Sequence, residues 1–125
     1  MSRALVLIVE DDPDVASFLE AALSDEYETR VAFDGVSAQR LLEEITPDLV
    51  VLDVRLPCMS GPQLCRMIRN TERLSSTPLL VVTGYPESAE AGSIREMGVD
   101  RILAKPVTPR RLRQAAKTLL RGTDP

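Results

Sequence analysis

The sequence of 125 residues has no histidine, two cysteines and only 3% aromatic residues. Without histidine, Cys58 and Cys65 cannot complete a zinc site, and two cysteines are too few for a disulfide framework. We therefore expect both to be reduced thiols, and we assign no function to Cys58. Because aromatic side chains are scarce, aliphatic side chains must build the core.

Long hydrophobic runs are also missing. The apolar start, Ala4–Val9, is too short for the core of a signal peptide with its flanks or for a membrane span, and no longer run follows it. We therefore expect a soluble, cytoplasmic protein that does not enter a membrane.

The composition is that of one ordinary globular domain, with 44% hydrophobic and 27% charged residues. A net charge of −4, without a basic cluster interleaved with aromatic residues, argues against nucleic acid as a partner. The charge is uneven, since Arg3–Glu28 holds eight acids and one base whereas Thr108–Arg121 holds five bases and no acid. These segments are either solvated faces or docking surfaces of opposite sign.

Short runs rich in valine, leucine and isoleucine alternate with segments of helical period. The runs are Ala4–Val9, Tyr27–Phe33, Asp48–Leu52, Leu79–Thr83 and Val99–Ala104. This alternation predicts an α/β fold with a parallel sheet, and three runs are apolar enough to be strands covered on both faces. The second run alternates polar with apolar residues, which favours an edge position.

The segments between these runs predict five helices, and the first and last have clear boundaries. Asp12 and Thr108 are predicted N-caps, and each is followed by a proline at the first helical position. Gly122 is the predicted stop of the last helix. Core-spaced residues of the first helix are Val15, Phe18, Leu19, Ala22 and Leu23.

The middle helices are less sharply marked. The second is predicted over Gly35–Ile45, the third opens at Pro62, and the fourth lies near Pro86–Met97. The fourth has only Ala89, Ile94 and Met97 to bury and contains Gly92, so we expect it to be the weakest and most mobile.

Polar residues follow four of the predicted strands at their carboxyl ends. They are Glu10, Asp11, Asp53, Thr83 and Lys105. In open parallel sheets, functional groups gather at this edge, so we expect these side chains to face one crevice. Crowded carboxylates repel each other unless a hard divalent cation lies between them, and the natural choice is magnesium, with manganese as its substitute.

A carboxylate at the centre of such a cluster can act as a nucleophile and form an aspartyl phosphate. Asp53 is the candidate, since Thr83 could donate a hydrogen bond to a phosphoryl oxygen and Lys105 could neutralise another. Asp12, next to the acidic pair, is interpreted as the cap of the first helix.

These residues resemble the receiver domains of bacterial two-component response regulators, typified by the chemotaxis regulator. The resemblance covers essentially the whole chain. It rests on four motifs, in order and each at a predicted strand end: Glu10-Asp11, Asp53 with Pro57 and Gly61, Thr83-Gly84, and Lys105-Pro106.

The resemblance implies a flavodoxin-like, doubly wound five-stranded sheet with strand order 2-1-3-4-5. It implies a receiver domain over residues 1–122 and a short tail at 123–125. With so few residues after Gly122, we expect no output domain in this chain. Whether the chain is a stand-alone regulator or a segment of a larger hybrid kinase or regulator stays open.

The resemblance also implies the chemistry. Asp53 would take a phosphoryl group from a histidine kinase or a histidine phosphotransfer protein, and the chain has no histidine with which to supply its own phosphohistidine. Asp11 and Asp53 would ligate magnesium directly, Glu10 through water and Arg55 through its backbone carbonyl, and the Lys105-Pro106 bond would be cis. Self-phosphorylation and slow self-dephosphorylation are expected, without enzymatic turnover.

The signal would be read by a downstream protein on the face of helix four, strand five and helix five. Three positions depart from the common pattern of the family. Ile102 stands where many members carry a tyrosine or phenylalanine that moves when the threonine does, and Val107 replaces a common phenylalanine. Arg55 is a cation two residues after the acceptor, at a position that influences loss of the phosphate in the family. Our hypothesis is that it neutralises the acids without metal and screens the acyl phosphate.

Other functions fit the sequence less well. A phosphatase with an aspartyl nucleophile would carry a second acid two residues after it, where this chain has Arg55. A receiver-like adaptor that works without phosphate would not need the full set of site residues. A dinucleotide-binding domain would show a glycine-rich fingerprint after the first strand, and there is none.

Overall fold

All five predicted strands and all five predicted helices are present in the computed structural model, which describes residues 3–121. The strands are β1 (Leu5–Val9), β2 (Glu28–Ala32), β3 (Leu49–Leu52), β4 (Leu79–Thr83) and β5 (Arg101–Ala104). The helices are α1 (Pro13–Leu23), α2 (Gly35–Glu44), α3 (Gly61–Asn70), α4 (Ala89–Glu96) and α5 (Pro109–Arg121). Gly122, the predicted stop of α5, lies outside the described residues. Within them, no helix has the length and apolar character needed to cross a membrane.

The strands form one parallel sheet in the predicted order β2-β1-β3-β4-β5. The chain runs from β1 outward to β2 and then returns past β1 to β3, so the strand order reverses between β1 and β3. Such a reversal opens a crevice at the carboxyl ends of the two strands. β2 lies at the edge, as predicted, and its Glu28 and Arg30 are exposed.

The core consists of two aliphatic layers, one on each face of the sheet. Leu7 and Val50 belong to the layer covered by α2, α3 and α4. Ile8 and Val51 belong to the layer covered by α1 and α5. Successive strand residues point to opposite faces, so a strand covered on both sides must be apolar throughout. Polar groups are therefore confined to the strand ends, where the site lies.

The prolines and caps predicted for α1 and α5 determine where these helices begin. The Asp12 carboxylate accepts the N–H of Asp14 at 2.9 Å, and Pro13 is the first residue of α1. The Thr108 hydroxyl accepts the N–H of Arg111 at 3.2 Å and caps α5. Each cap satisfies a backbone donor that the first turn leaves unpaired.

Helix α3 begins one residue earlier than predicted, at Gly61 rather than Pro62. The cause is a capping box in which Ser60 Oγ accepts the N–H of Gln63 and the Gln63 side chain accepts the N–H of Ser60. The sequence prediction missed this pair. A Cβ on Gly61 would lie 2.6 Å from Cα of Val54, so glycine is required where the loop after β3 folds back.

Helix α4 is shorter than the predicted Pro86–Met97. It begins only at Ala89, because Ser88 Oγ accepts the N–H of Ala91 at 3.2 Å and caps it. Ile94 is buried as predicted, but Ala89 is exposed and Ala91 is buried in its place. The helix therefore starts about one turn later than predicted, and its buried alanine is Ala91 rather than Ala89.

Phe18 was predicted to be a core residue of α1, and this was wrong. Its side chain is 39% exposed, whereas Ala16, Leu19 and Leu23 are buried. Positions 16, 19 and 23 lie on the face of the helix that meets the sheet, and position 18 lies at the border of that face. The sequence period alone did not distinguish the centre of the apolar stripe from its edge.

Candidate functional site

Glu10 and Asp53 leave the sheet side by side at the reversal of strand order. The register pairs Val9 of β1 with Leu52 of β3, so Glu10 and Asp53, the residues that follow, lie next to each other at the edge of the sheet. The N–H of Asp53 donates to the carbonyl of Val9 at 3.2 Å and extends the pairing by one step. The two acids are thus brought together by strand register.

Three carboxylates form one cluster here, namely those of Glu10, Asp11 and Asp53. Each offers one oxygen, and these oxygens lie within 4.8 Å of one another. Glu10 is 2% exposed and the Asp53 side chain is 12% exposed, whereas Asp11 is exposed to solvent. Three carboxylate oxygens of graded exposure, open to water on one side, fit a hard divalent cation such as magnesium.

Lys105 brings a positive charge into this cluster from the other half of the sheet. Thr83 pairs with Ala104, and the N–H of Lys105 donates to the Thr83 carbonyl at 2.8 Å. The Lys105 ammonium then lies 2.7 Å from Oε1 of Glu10 and 2.9 Å from Oδ2 of Asp53. The Lys105-Pro106 bond is cis, as the family resemblance implied.

For Glu10 and for Lys105, burial and the ion pairs shift the pKa in opposite directions, and a different effect prevails in each residue. Burial raises the pKa of the Glu10 carboxyl, although the hydrogen bond and charge of Lys105 oppose it. For Lys105 the largest single effect, burial, lowers the pKa. The hydrogen bonds to Glu10 and Asp53, with their charges, outweigh it, and the pKa of Lys105 lies above its ordinary value. Lys105 is therefore a cation at neutral pH.

Thr83 is fully buried at the end of β4, the strand next to β3. Its Oγ1 accepts the N–H of Tyr85 at 3.0 Å. A hydroxyl has one proton and two acceptor positions, so this bond leaves its proton free to be donated. The structure thus brings Glu10, Asp11, Asp53 and Lys105 into one cluster, with Thr83 at the adjacent strand end.

Comparison with known proteins agrees with this architecture. The family model described as "Response regulator receiver domain" matches residues 6–117. The chain belongs to the response regulator receiver domain family. It is a receiver domain of two-component signal transduction, as the sequence motifs predicted, and its flavodoxin-like fold is confirmed.

Two curated relatives contain this receiver domain within longer chains. The DNA-binding response regulator MtrA of Mycolicibacterium smegmatis is 34% identical over 123 residues, which is 98% of this chain and 53% of MtrA. The sensor histidine kinase TmoS of Ectopseudomonas mendocina is 33% identical over 115 residues, 92% of this chain and 12% of TmoS. The chain therefore spans about half of the first relative and a small part of the second.

A solved structure also matches over nearly its whole length. It is the receiver domain of the sensor histidine kinase PA1611 from Pseudomonas aeruginosa PAO1, with a TM-score of 0.88 and 27% identity. The match covers 95% of this chain and 98% of that one. That structure has a magnesium ion coordinated in its active site cleft.

Arg55 of this receiver domain does not take the position that the sequence suggested. Its backbone N–H donates to Oδ1 of Asp53 at 3.3 Å, but its guanidinium lies over the ring of Tyr85, 3.8 Å from the ring centre. Within residues 3–121, the ion pairs to Glu10 and Asp53 are made by Lys105. Neutralisation of the acids, the role predicted for Arg55, is therefore carried by Lys105.

Tyr85 is the site residue that the sequence prediction missed. It follows Thr83 by two positions, as Arg55 follows Asp53 by two, and β3 and β4 are neighbours. Equal offsets from neighbouring strand ends were the signal that could have paired them. Only the loop conformations show that the two side chains meet.

Positions 102 and 107, where many family members carry an aromatic residue, hold Ile102 and Val107 in this chain. Ile102 is half-buried and packs against the layer under α2, α3 and α4. Val107 is buried in the opposite layer. Neither side chain has a polar atom that could bond to Thr83.

An apolar groove of about 510 Å³ lies beside Lys105, between α1 and the loop that joins β5 to α5. Phe18 and Val15 line it from α1, and Pro106 and Val107 line it from the other side. The exposure of Phe18 is explained by this position at the rim. The groove adjoins the crevice that holds the acids.

The two thiols lie in different surroundings. Cys58 is exposed in the loop after β3, with a φ of 71°. Cys65 is buried in α3, and this burial raises the pKa of its thiol to about 12. Both are free, as predicted, and neither contributes a group to the acid cluster.

Proposed function

We propose that this receiver domain accepts a phosphoryl group on Asp53 and thereby relays a signal. One observation carries the proposal: the Asp53 carboxylate is largely buried, lies 2.9 Å from the Lys105 ammonium, and shares its crevice with Glu10 and Asp11. A solvated loop acid would have neither a fixed cation nor a cluster of carboxylates around it. These surroundings suit a group that must accept and hold a dianionic phosphoryl group.

In the transfer, a carboxylate oxygen of Asp53 attacks the phosphorus of the donor. A new P–O bond forms, the bond from phosphorus to the leaving atom breaks, and that atom departs with the electron pair. The leaving atom is an imidazole nitrogen when the donor is a phosphohistidine, and an acetate oxygen when the donor is acetyl phosphate. The product is an acyl phosphate on Asp53.

Lys105 and Thr83 stabilise this product in different ways. Lys105 neutralises charge on the carboxylate before transfer and is positioned to bind a phosphoryl oxygen after it. Thr83 donates its free hydroxyl proton to another phosphoryl oxygen. Charge-assisted and neutral hydrogen bonds thereby hold separate oxygens of the group.

Glu10, Asp11 and Asp53 would hold the divalent cation, with the backbone carbonyl of Arg55 as a further ligand. Magnesium held there would neutralise negative charge on the phosphoryl oxygens. The graded exposure of the three acids leaves one side of the cluster open to water and to the incoming group.

The acyl phosphate would be lost slowly, when water attacks phosphorus and releases inorganic phosphate and the Asp53 carboxylate. A phosphatase accelerates turnover with an acid that protonates the leaving group. Here the residue two positions after the acceptor is Arg55, and its guanidinium rests on Tyr85. We therefore assign self-phosphorylation and slow self-dephosphorylation, without turnover of a substrate.

As the family resemblance implies, the donor would be a histidine kinase or a histidine phosphotransfer protein, because this chain has no histidine that could carry the phosphoryl group itself. The apolar groove at Phe18 and Pro106 adjoins Lys105 and offers such a donor a surface beside the acceptor. The output would be read on the face formed by α4, β5 and α5. A domain boundary at residue 122 and a cytoplasmic location stay predictions.

The test is incubation with acetyl phosphate and magnesium, followed by intact-mass analysis. We expect one added phosphoryl group, stable in acid, labile in alkali, and absent from Asp53→Asn. The matched control is Asp12→Asn, which makes the same chemical change nearby and retains a good helix cap. If neither acetyl phosphate nor a phosphorylated histidine phosphotransfer protein labels Asp53, the proposal is wrong.

A further inference from the structure

The side of α5 that faces the turn between α1 and β2 carries cations that the proposed function does not use. Arg110, Arg113 and Lys117 are exposed and lie three and four residues apart, on one side of the helix. Together with Gln114 and with Glu26 of the α1–β2 turn, they line a groove of about 310 Å³. We call these three cations the α5 stripe.

No carboxylate forms an ion pair with the α5 stripe within residues 3–121. The ion pairs in this range are made by Arg30, Arg69 and Lys105. Glu26 is the acid in the groove, but in the same range it makes no ion pair with the stripe. The sequence of α5 contains no acid of its own. In this part of the chain, the stripe is therefore neutralised by solvent alone.

The positions of these cations are unfavourable for α5 itself. Arg110 and Arg113 are neighbours on the helix surface, where like charges repel each other. Arg110 also lies in the first turn, which contains no acid, although the helix dipole favours negative charge at this end. Folding of the domain alone therefore does not account for them, whereas an anionic partner would relieve both effects.

The α5 stripe is also separate from the proposed output face. Helices α1 and α5 cover one face of the sheet, whereas α4 covers the other. The groove lies beside the turn that precedes β2, which is one edge strand, and β5 is the opposite edge strand. A partner on the stripe would thus leave α4 and β5 open to a second protein.

The acids of the same chain restrict which anionic partner fits. The segment Arg3–Glu28 holds eight acids, and Glu26 among them lines the groove. Duplex nucleic acid or an anionic membrane would spread over these acids as well as over the stripe, and like charges would oppose its approach. A short acidic segment of a protein can contact the stripe alone, and a cation within it can pair with Glu26.

We propose that the α5 stripe docks an acidic helical segment of a partner protein. Carboxylates three and four residues apart on such a helix form a row that matches the row of Arg110, Arg113 and Lys117. Each carboxylate can then accept charge-assisted hydrogen bonds from one cation, and an arginine can donate two in parallel. This inference goes beyond the proposed function, since it does not require a phosphoryl group on Asp53.

Fluorescence anisotropy with a synthetic probe tests the docking site on the full chain. The probe is a labelled, alanine-rich helical peptide whose glutamates have the spacing of the α5 stripe. The comparison peptide has the same composition and charge, but its glutamates are distributed around the helix. At about 0.15 M salt, which screens unspecific attraction, we expect the probe to bind at least about fivefold more tightly, because several surface ion pairs act together.

Replacement of two cations should remove this preference. The double variant Arg110→Gln with Arg113→Gln keeps good helix formers in place, and it should weaken binding of the probe by about five- to tenfold. The matched control is Arg40→Gln with Arg66→Gln, which removes equal charge from exposed positions of α2 and α3 on the other face of the sheet. The control should retain the affinity, and labelling of Asp53 by acetyl phosphate should be unchanged in both double variants.

Thermal unfolding provides a second readout, which separates docking from a structural role. Because Arg110 and Arg113 repel each other and no described acid pairs with them, their replacement should raise the midpoint of thermal unfolding by about 1–4 °C. The variant should thus be more stable and yet bind the probe less well. A lower midpoint would mean that these side chains serve the fold, and it would overturn the proposal.

Other outcomes would also overturn the docking site. They are equal affinity for the two peptides, an unchanged affinity in Arg110→Gln with Arg113→Gln, and tighter binding of duplex DNA or of vesicles containing anionic phospholipid at the same salt. Self-association in sedimentation that this variant abolishes would overturn it too, because the occupant would then be a second copy of the chain. Binding of the peptide is measured without a phosphoryl donor, so failure to label Asp53 would contradict the proposed function alone.

Discussion

Helices α4 and α5 both flank β5, the last strand of the sheet, but they are held very differently. α5 spans 13 residues, buries Leu112, Ala115 and Ala116, and is capped by Thr108. α4 spans eight residues, buries Ala91 and Ile94, and contains Gly92. Short helices with little buried surface and an internal glycine contribute little stability. The proposed output face thus combines a firm element with a weak one, which is what a change of shape requires.

The largest expected effect comes from a substitution in the core of α5, the firmly held helix. Leu112 is fully buried in the layer that α5 shares with α1, so Leu112→Ala should lower the free energy of unfolding by about 2–5 kcal/mol. Urea denaturation followed by circular dichroism measures it. The half-buried Leu119 is the control, and Leu119→Ala should lose less. An unchanged midpoint for Leu112→Ala would mean that α5 is not part of the cooperative core.

A second prediction concerns Lys105, which joins the α5 side to the acids. Its pKa is raised above 10.5, so the stabilisation it provides is complete at neutral pH and is lost as the pH rises through that raised value. Without magnesium, Lys105→Met should be less stable than native by about 1–2 kcal/mol at neutral pH. The difference in free energy of unfolding between the two proteins should become smaller above about pH 10.5.

Urea unfolding of the native protein and of Lys105→Met, at neutral pH and again above about pH 10.5, measures this difference in free energy of unfolding. Lys117→Met, at an exposed position of α5, is the control and should show no such convergence. A gap that stays constant with pH would contradict the role given to the Lys105 charge.

A comparison of backbone dynamics would sharpen the contrast between the helices. Because α4 buries only Ala91 and Ile94, we expect it to open more readily than α5, and its amide hydrogens should exchange about tenfold or more faster. Hydrogen exchange followed by mass spectrometry or NMR measures both in one sample. Equal protection of the two helices would remove the basis for treating α4 as the weak element.

The smallest effects come from two glycines in or beside α4, and they should have opposite signs. A Cβ on Gly92 would meet nothing within 4 Å, so Gly92→Ala should stabilise the protein by about 0.5–1 kcal/mol. Gly98 has a φ of +81°, so Gly98→Ala should destabilise it despite equally open space. Thermal unfolding measures both, and equal signs would contradict the helical conformation assigned to Gly92.

Much of the fold was predictable because the signals were local or periodic. β4 is bounded by the predicted Leu79 and Thr83, and Asp12 caps α1 as expected. The sequence prediction was wrong about where one helix begins and about which residue lies at the edge of an apolar face. Ser88 caps α4, so that the helix begins only at Ala89, and Phe18 lies at the border of an apolar face rather than at its centre.

The residue types of the site could also be predicted from strand ends, but their contacts could not. The sequence marked Glu10, Asp11, Asp53, Thr83 and Lys105 as one candidate group, because parallel strands bring their carboxyl ends to one edge. It gave a neutralising charge both to Lys105 and to Arg55, and it did not determine which of the two pairs with the acids. That choice depends on the direction in which two loops carry their side chains.

By itself, the sequence determined that Asp53 would stand at the end of a buried strand among other acids. Alternation of apolar runs and helices specifies a doubly wound sheet, and polar residues survive only where its strands end. Tertiary structure alone decided which cation meets which acid. Lys105 contacts Glu10, 95 positions away in the chain, and Asp53, 52 positions away, whereas Arg55 contacts Tyr85. Such pairings depend on register and loop conformation, which no local sequence period encodes.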